Sequence, residues 1–103
     1  MKFGSAIECA RCGLKVAREG WNGKDMYVYM TKSRTIPVSE WEARMPSQEL
    51  TELEKSIGYV FVEGHLDMMN AQGRRVIGWL ASQTDMLADD WYVVEDNCTP
   101  EDE

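Results

Sequence analysis

Two tryptophans, Trp79 and Trp91, bracket the stretch that most constrains this chain, Trp79-Leu80-Ala81-Ser82-Gln83-Thr84-Asp85-Met86-Leu87-Ala88-Asp89-Asp90-Trp91. Ser82 followed by Asp85 is the reciprocal arrangement of a helix start. The Ser82 hydroxyl accepts from the Asp85 amide, and the Asp85 carboxylate sits near the positive end of the helix dipole. Met86 and Leu87 give a short apolar face. Asp89 and Asp90 compete with helical hydrogen bonding and favour a turn. Trp91-Tyr92-Val93-Val94 then reads as a strand, rich in aromatic and β-branched residues. The expected unit is a compact corner, a short helix leading into a strand and framed by two indoles. Its Ser, Gln, Thr and Asp side chains suit hydrogen bonding to a polar ligand.

Before this corner the chain alternates strand and turn signals. Ser5 and Glu8 suggest a capped helix over 5–12, which Gly13 stops, with Phe3, Ile7 and Ala10 sharing a face. Residues 15–19 alternate like a strand. Asn22-Gly23 is a hairpin-turn signal because both residues tolerate positive φ, and the return strand is Met26 to Thr31. Pro37, Ser39 and Glu42 suggest a helical turn around Trp41. A second helical stretch begins at Pro46 and ends at Gly58, with Leu50, Leu53 and Ile57 at helical spacing. Strands follow at 59–62, 65–69 and 74–79, the last two joined by a turn at 70–73. The pattern predicts an α+β fold: a small antiparallel sheet with short helices packed to one side, in one domain over 1–95. Within it, 32–58 is a helical excursion from the sheet, and 96–103 is an acidic tail.

Composition narrows the function. A chain of 103 residues buries roughly two-thirds of its unfolded surface, enough for one core without staples. The net charge of −7 repels duplex nucleic acid, whose affinity comes from neutralised phosphates. It leaves room for a small anion held by local Arg or Lys side chains. No apolar run reaches the roughly 18 residues that span a bilayer, and the N-terminus lacks the apolar stretch of a signal peptide. Three cysteines, an odd number, argue against a disulfide scaffold and for the cytoplasm. Cys9 and Cys12 would need Cys98 and His65 to complete a tetrahedral zinc site. His65 has no nucleophile or carboxylate at a recognisable catalytic spacing. The methionines Met26, Met30, Met68, Met69 and Met86 suit a core or a subunit interface better than a cofactor.

Two motifs carry a resemblance: Ala17-Arg18-Glu19-Gly20-Trp21-Asn22-Gly23-Lys24 and the Trp79–Trp91 stretch, with Phe3-Gly4 and its helix in support. Over residues 1–31 and 65–95 the chain resembles the second type of Thoeris anti-defence protein, a family of small phage proteins. The segment 32–64 is the departure: its length and sequence vary in that family, and it is not aligned. The resemblance implies a sponge without catalytic residues or cofactor. It would bind a cyclic ADP-ribose-type signal uncleaved, in pockets between subunits of a homotetramer in the host cytoplasm, and cyclic di- or trinucleotides are further possible ligands.

Such a ligand needs a plate for its base, hydrogen bonds for its riboses, and amides or cations for its phosphates. The ligand-binding candidates are Arg18, Trp21, Asn22, Lys24, Met26, Trp79, Ser82, Gln83, Thr84 and Asp85. Several have an ordinary alternative. Trp21 serves equally as a core indole, Asn22 as a turn residue, and Ser82 with Asp85 as a helix cap; Arg18, Lys24, Arg74 and Arg75 serve as solvated cations. The competing function is an acidic protein–protein inhibitor of a host defence protein. An enzyme that degrades the signal finds no supporting motif.

Overall fold

The computed structural model describes residues 1–94, which divide into two compact units, 1–31 with 65–94, and 32–64. Cys98, Glu95 and the acidic tail of the sequence reading lie outside the described residues. The first unit is an α+β fold built on a five-stranded antiparallel sheet. Its elements in chain order are α1 (Phe3–Arg11), β1 (Val16–Arg18), β2 (Tyr27–Thr31), β5 (His65–Met69), β6 (Arg75–Ile77), α4 (Gln83–Leu87) and β7 (Trp91–Val93). The strand order is β6-β5-β2-β1-β7. The second unit holds β3 (Arg34–Pro37), α2 (Val38–Arg44), α3 (Glu52–Ile57) and β4 (Tyr59–Val62), with β3 and β4 paired antiparallel.

The core of the first unit lies where α1 meets one face of the sheet. Ala6 and Ala10 of α1 pack with Val16, Val28, Met68 and Trp91. Small residues on the helix let its backbone approach the strands, and Phe3 leans on Trp91 with ring centroids 5.5 Å apart. The first helix starts two residues before the expected position. Lys2 is its N-cap and makes no side-chain cap, so Ser5 and Glu8 fall inside the helix rather than forming a capping box. Gly13 does follow the helix end, at φ 96°.

β1 and β2 pair antiparallel, Val16 opposite Val28, as the sequence implies, but the turn differs. Asn22-Gly23 is not a two-residue hairpin turn. Residues 19–26 form a longer loop whose positive φ falls on Asp25, at 60°. Gly23 answers a packing demand instead: a Cβ there would stand 2.6 Å from both the Ala71 Cβ and the Met26 Sδ.

A buried carboxylate fastens the middle of the sheet. Asp67 on β5 is 2% exposed. It accepts from the Thr31 hydroxyl at the end of β2 and, at 2.8 Å, from the Gly78 amide just past β6. The His65 Nε2 lies 3.4 Å from the same carboxylate. Burying a carboxylate is tolerable only with such donors around it. Nothing in the strand-like pattern of 65–69 marks Asp67 as an inward residue.

In the second unit Ile36 and Val60 are the buried apolar pair, directly opposite one another across β3 and β4. The expected turn around Trp41 is α2. The second helix begins later than expected, at Glu52, where Thr51 and Glu54 form a complete capping box, and Gly58 ends it at φ 83°. β3 is a strand the sequence reading missed: Ile36 is its single buried position, and Arg34, Thr35 and Pro37 are exposed.

Candidate functional site

The corner between the two motifs forms around one side chain, Asp85. The capping box at Ser82 is as expected: the Asp85 amide donates to the Ser82 Oγ at 3.0 Å, and the Ser82 amide donates back to the carboxylate at 3.4 Å. The carboxylate also reaches across to the other motif. Its Oδ1 accepts from the Arg18 Nη1 at 2.8 Å and from the Trp21 Nε1 at 3.0 Å. One acidic residue thus starts α4, fixes an indole and pairs a guanidinium.

Arg18 is shared with a second carboxylate. Its Nε donates to the Asp90 Oδ1 at 2.8 Å and its Nη2 to the Oδ2 at 3.4 Å. Its side chain is 13% exposed. Asp90 accepts in addition from the Gly20 amide at 2.8 Å. Gly20 is glycine for want of room, since a Cβ would meet the Asp90 Oδ2 at 2.8 Å. In the sequence Asp90 reads only as a turn former. The signal available was its place next to Trp91, which lies opposite Arg18 in the β1–β7 register.

The electrostatics follow from these contacts. Burial alone pushes the Asp85 carboxyl up, but hydrogen bonds from Arg18, Trp21 and Ser82 outweigh it and hold the group below the ordinary carboxylate range. The Arg18 hydrogen bond, then the Gly20 amide, holds Asp90 down as well. Hydrogen bonds to Asp90 and then Asp85 raise the Arg18 guanidinium further. All three groups are ionised at neutral pH and satisfy one another.

Above this ionic knot sits a cluster of three indoles. Trp21, Trp79 and Trp91 meet edge to face, with centroids 5.3 Å apart for Trp21 and Trp91 and 6.3 Å for each of the other pairs. That is the favoured geometry for aromatic quadrupoles. The Trp91 Nε1 donates to the Asp85 backbone carbonyl at 2.9 Å, closing the corner from the strand side. Trp91 is buried, whereas Trp21 and Trp79 are half-buried.

Of the candidate residues, Arg18, Trp21, Trp79, Ser82 and Asp85 therefore meet in one corner. Asn22 and Lys24 lie exposed on the loop that carries Trp21, and Gln83 and Thr84 lie exposed on the first turn of α4. Met26 packs half-buried against the core and lines an open depression of about 210 Å³ with Lys15, Asp25, Tyr27, Tyr92 and Val94. Arg75 is engaged with Tyr29, donating to its hydroxyl at 3.0 Å. Among the described residues no group of three or more His, Cys, Asp or Glu side chains is placed to hold a metal ion. Cys9 and Cys12 are free thiols.

Chemically the corner offers aromatic surface with amide and hydroxyl donors. Its carboxylates are committed to structure. The family model described as Tad2-like, Thoeris anti-defense 2-like domain, matches residues 1–94. A relative in Bacillus phage SP01, Thoeris anti-defense 2, is 30% identical over 101 residues, covering 91% of this chain and 94% of that protein. A match over the whole described chain, together with this relative, places the protein in the Thoeris anti-defence 2-like family.

Proposed function

We propose that this protein is a phage anti-defence protein of the host cytoplasm that blocks Thoeris signalling by holding a cyclic ADP-ribose-type nucleotide without cleaving it. It would act as a homotetramer. The observation that carries the reading is the shared Asp85 contact, which fastens Trp21 and Arg18 of one motif to the helix start of the other. Such a corner holds its indoles in place, with Asn22 and Lys24 on the loop that carries Trp21 and Gln83 and Thr84 on the first turn of α4. A pre-ordered aromatic and polar surface binds tightly because little ordering is left to the binding step.

Roles within the corner divide by their contacts. Trp21 and Trp79 supply the plate for the base. Asn22, Gln83 and Thr84 offer hydrogen bonds for ribose hydroxyls, and Lys24 offers charge for phosphate. Arg18 and Asp85 act through positioning, because their donors and acceptors are already engaged with each other. A general base needs a carboxylate or imidazole within reach of the reacting proton and free to accept it; Asp85 and Asp90 are each occupied by Arg18 and by backbone or indole N–H groups. Calorimetry against cyclic ADP-ribose isomers and cyclic di- and trinucleotides tests the reading. Saturable heat with a cyclic ADP-ribose supports it. No heat with any cyclic nucleotide, alongside capture of a host defence protein, favours the acidic inhibitor instead.

A further inference from the structure

A cyclic ADP-ribose-type ligand brings a pyrophosphate, and a chain of net charge −7 has few cations left to meet it. In the first unit Arg18 is taken by Asp85 and Asp90, and Arg11 lies beside Glu8. Lys15 lies over the Tyr27 ring, and Arg75 donates to the Tyr29 hydroxyl. Among the described residues of that unit, the cationic side chains without a hydrogen bond or ion pair are Lys2, Lys24 and Arg74.

Two of these sit on segments that touch. Lys24 belongs to the loop that carries Trp21, and Arg74 follows the turn between β5 and β6. Gly23 and Ala71 make the contact, since a Cβ on Gly23 would stand 2.6 Å from the Ala71 Cβ. The turn is fastened by Asn70, whose Oδ1 accepts from the Gln72 amide at 3.0 Å and the Arg74 amide at 2.9 Å. Asparagine closes its own turn in this way. The Asn70 amide donates in return to the Arg74 carbonyl at 2.9 Å. The loop is fastened at its other end, by the Gly20 amide on Asp90 and the Trp21 indole on Asp85.

The ladder also sets the side. Met68 of the core stands opposite Val76, and Met69 stands opposite Arg75. Successive side chains of a strand point to opposite faces. Arg75 accordingly reaches Tyr29, the neighbour of the core residue Val28, on the far face. Arg74, one residue earlier, returns to the face of Val76 and the core, against which Trp21 and Trp79 pack.

We infer that Arg74 is a phosphate-binding residue of the nucleotide site, acting with Lys24 across the Gly23–Ala71 contact. A guanidinium offers parallel N–H donors to two oxygens of one phosphate, whereas an ammonium acts as a point charge. Two cations on pre-fixed segments suit the two charges of a pyrophosphate with little left to order on binding. This assignment deepens the proposed function and rests on it.

Calorimetry of the full chain with a cyclic ADP-ribose, at two salt concentrations, tests it. Arg74→Gln is expected to bind about tenfold more weakly, with a flatter salt dependence. Arg74→Lys should recover part of the loss. Arg75→Gln, next in sequence but on the far face, should bind like wild type. Gly23→Ala should also weaken binding by pushing the two segments apart, and adding Ala71→Gly should restore it. Circular dichroism confirms that each variant is folded. Wild-type protein that binds no cyclic nucleotide would overturn the proposed function and this assignment together. A binding wild type whose Arg74→Gln variant is unimpaired, or no weaker than Arg75→Gln, would overturn the Arg74 assignment alone. Failure of Ala71→Gly to rescue Gly23→Ala would overturn the coupling of the two segments.

Discussion

At the scale of residues, the corner depends on a few N–H donors converging on two carboxylates. The Asp85 and Asp90 carboxyls are held below their ordinary values by Arg18 and the neighbouring N–H groups. A depressed folded-state pKa stabilises the fold above the unfolded value, about 3.9 for Asp, and that contribution is lost as pH falls through the folded value. Urea midpoints are therefore expected to stay level from neutral pH to about pH 5, then drop toward pH 3, more steeply than in Arg18→Met. That variant should be less stable at neutral pH, with less acid dependence left to lose. Trp21→Phe keeps an aromatic face but drops the Nε1 hydrogen bond to Asp85. It should cost about 1 kcal/mol of stability while keeping most ligand affinity. Trp21→Ala removes the plate and should cost roughly 1–3 kcal/mol of binding, the scale of base–aromatic stacking. Calorimetry at matched folded fractions separates the two effects. If Trp21→Ala binds as well as wild type, the indole is only a core residue.

At the scale of elements, the sequence disclosed those whose signal is local. The capping box Ser82–Asp85, the Gly58 stop, the β-branched and aromatic runs behind β2, β4 and β7, and the strand at 65–69 appear where expected. Elements set by partners were hidden. β3 is a strand because β4 pairs with it, not because Arg34-Thr35-Ile36-Pro37 alternates. Pro46 reads as a helix start, but the chain at 46–50 is not helical and the capping box Thr51–Glu54 begins α3. In the site, the two tryptophan motifs were legible but their meeting was not, because the Asp85 contacts to Arg18 and Trp21 span most of the chain length. The same topology gives a design. Thr31 and His65 are directly opposite on β2 and β5, so the whole segment 32–64 leaves and returns at one hairpin end. Replacing it by Asn-Gly, which suits a two-residue antiparallel turn, is expected to leave a folded first unit with wild-type-like near-ultraviolet tryptophan signals. A shortened protein without cooperative unfolding would show that the first unit needs the second.

At the scale of the whole molecule, the net charge of −7 and the knot of Arg18 with two carboxylates leave few cations for an anionic ligand. Lys24 is the exposed cation on the Trp21 loop, so Lys24→Gln is expected to weaken nucleotide binding several-fold and to flatten its salt dependence, as removal of one screened charge contact would. A rigid corner with its titrating groups satisfied suits retention of a ligand rather than its turnover. Retention is also what distinguishes a sponge from every competing function. The decisive measurement is recovery: saturate the purified protein with a cyclic ADP-ribose, remove free ligand, heat-denature, and identify the released nucleotide by mass and chromatographic retention. The expected result is stoichiometric return of chemically unchanged ligand after hours of incubation. A linear ADP-ribose product, or no nucleotide retained before heating, would contradict sequestration.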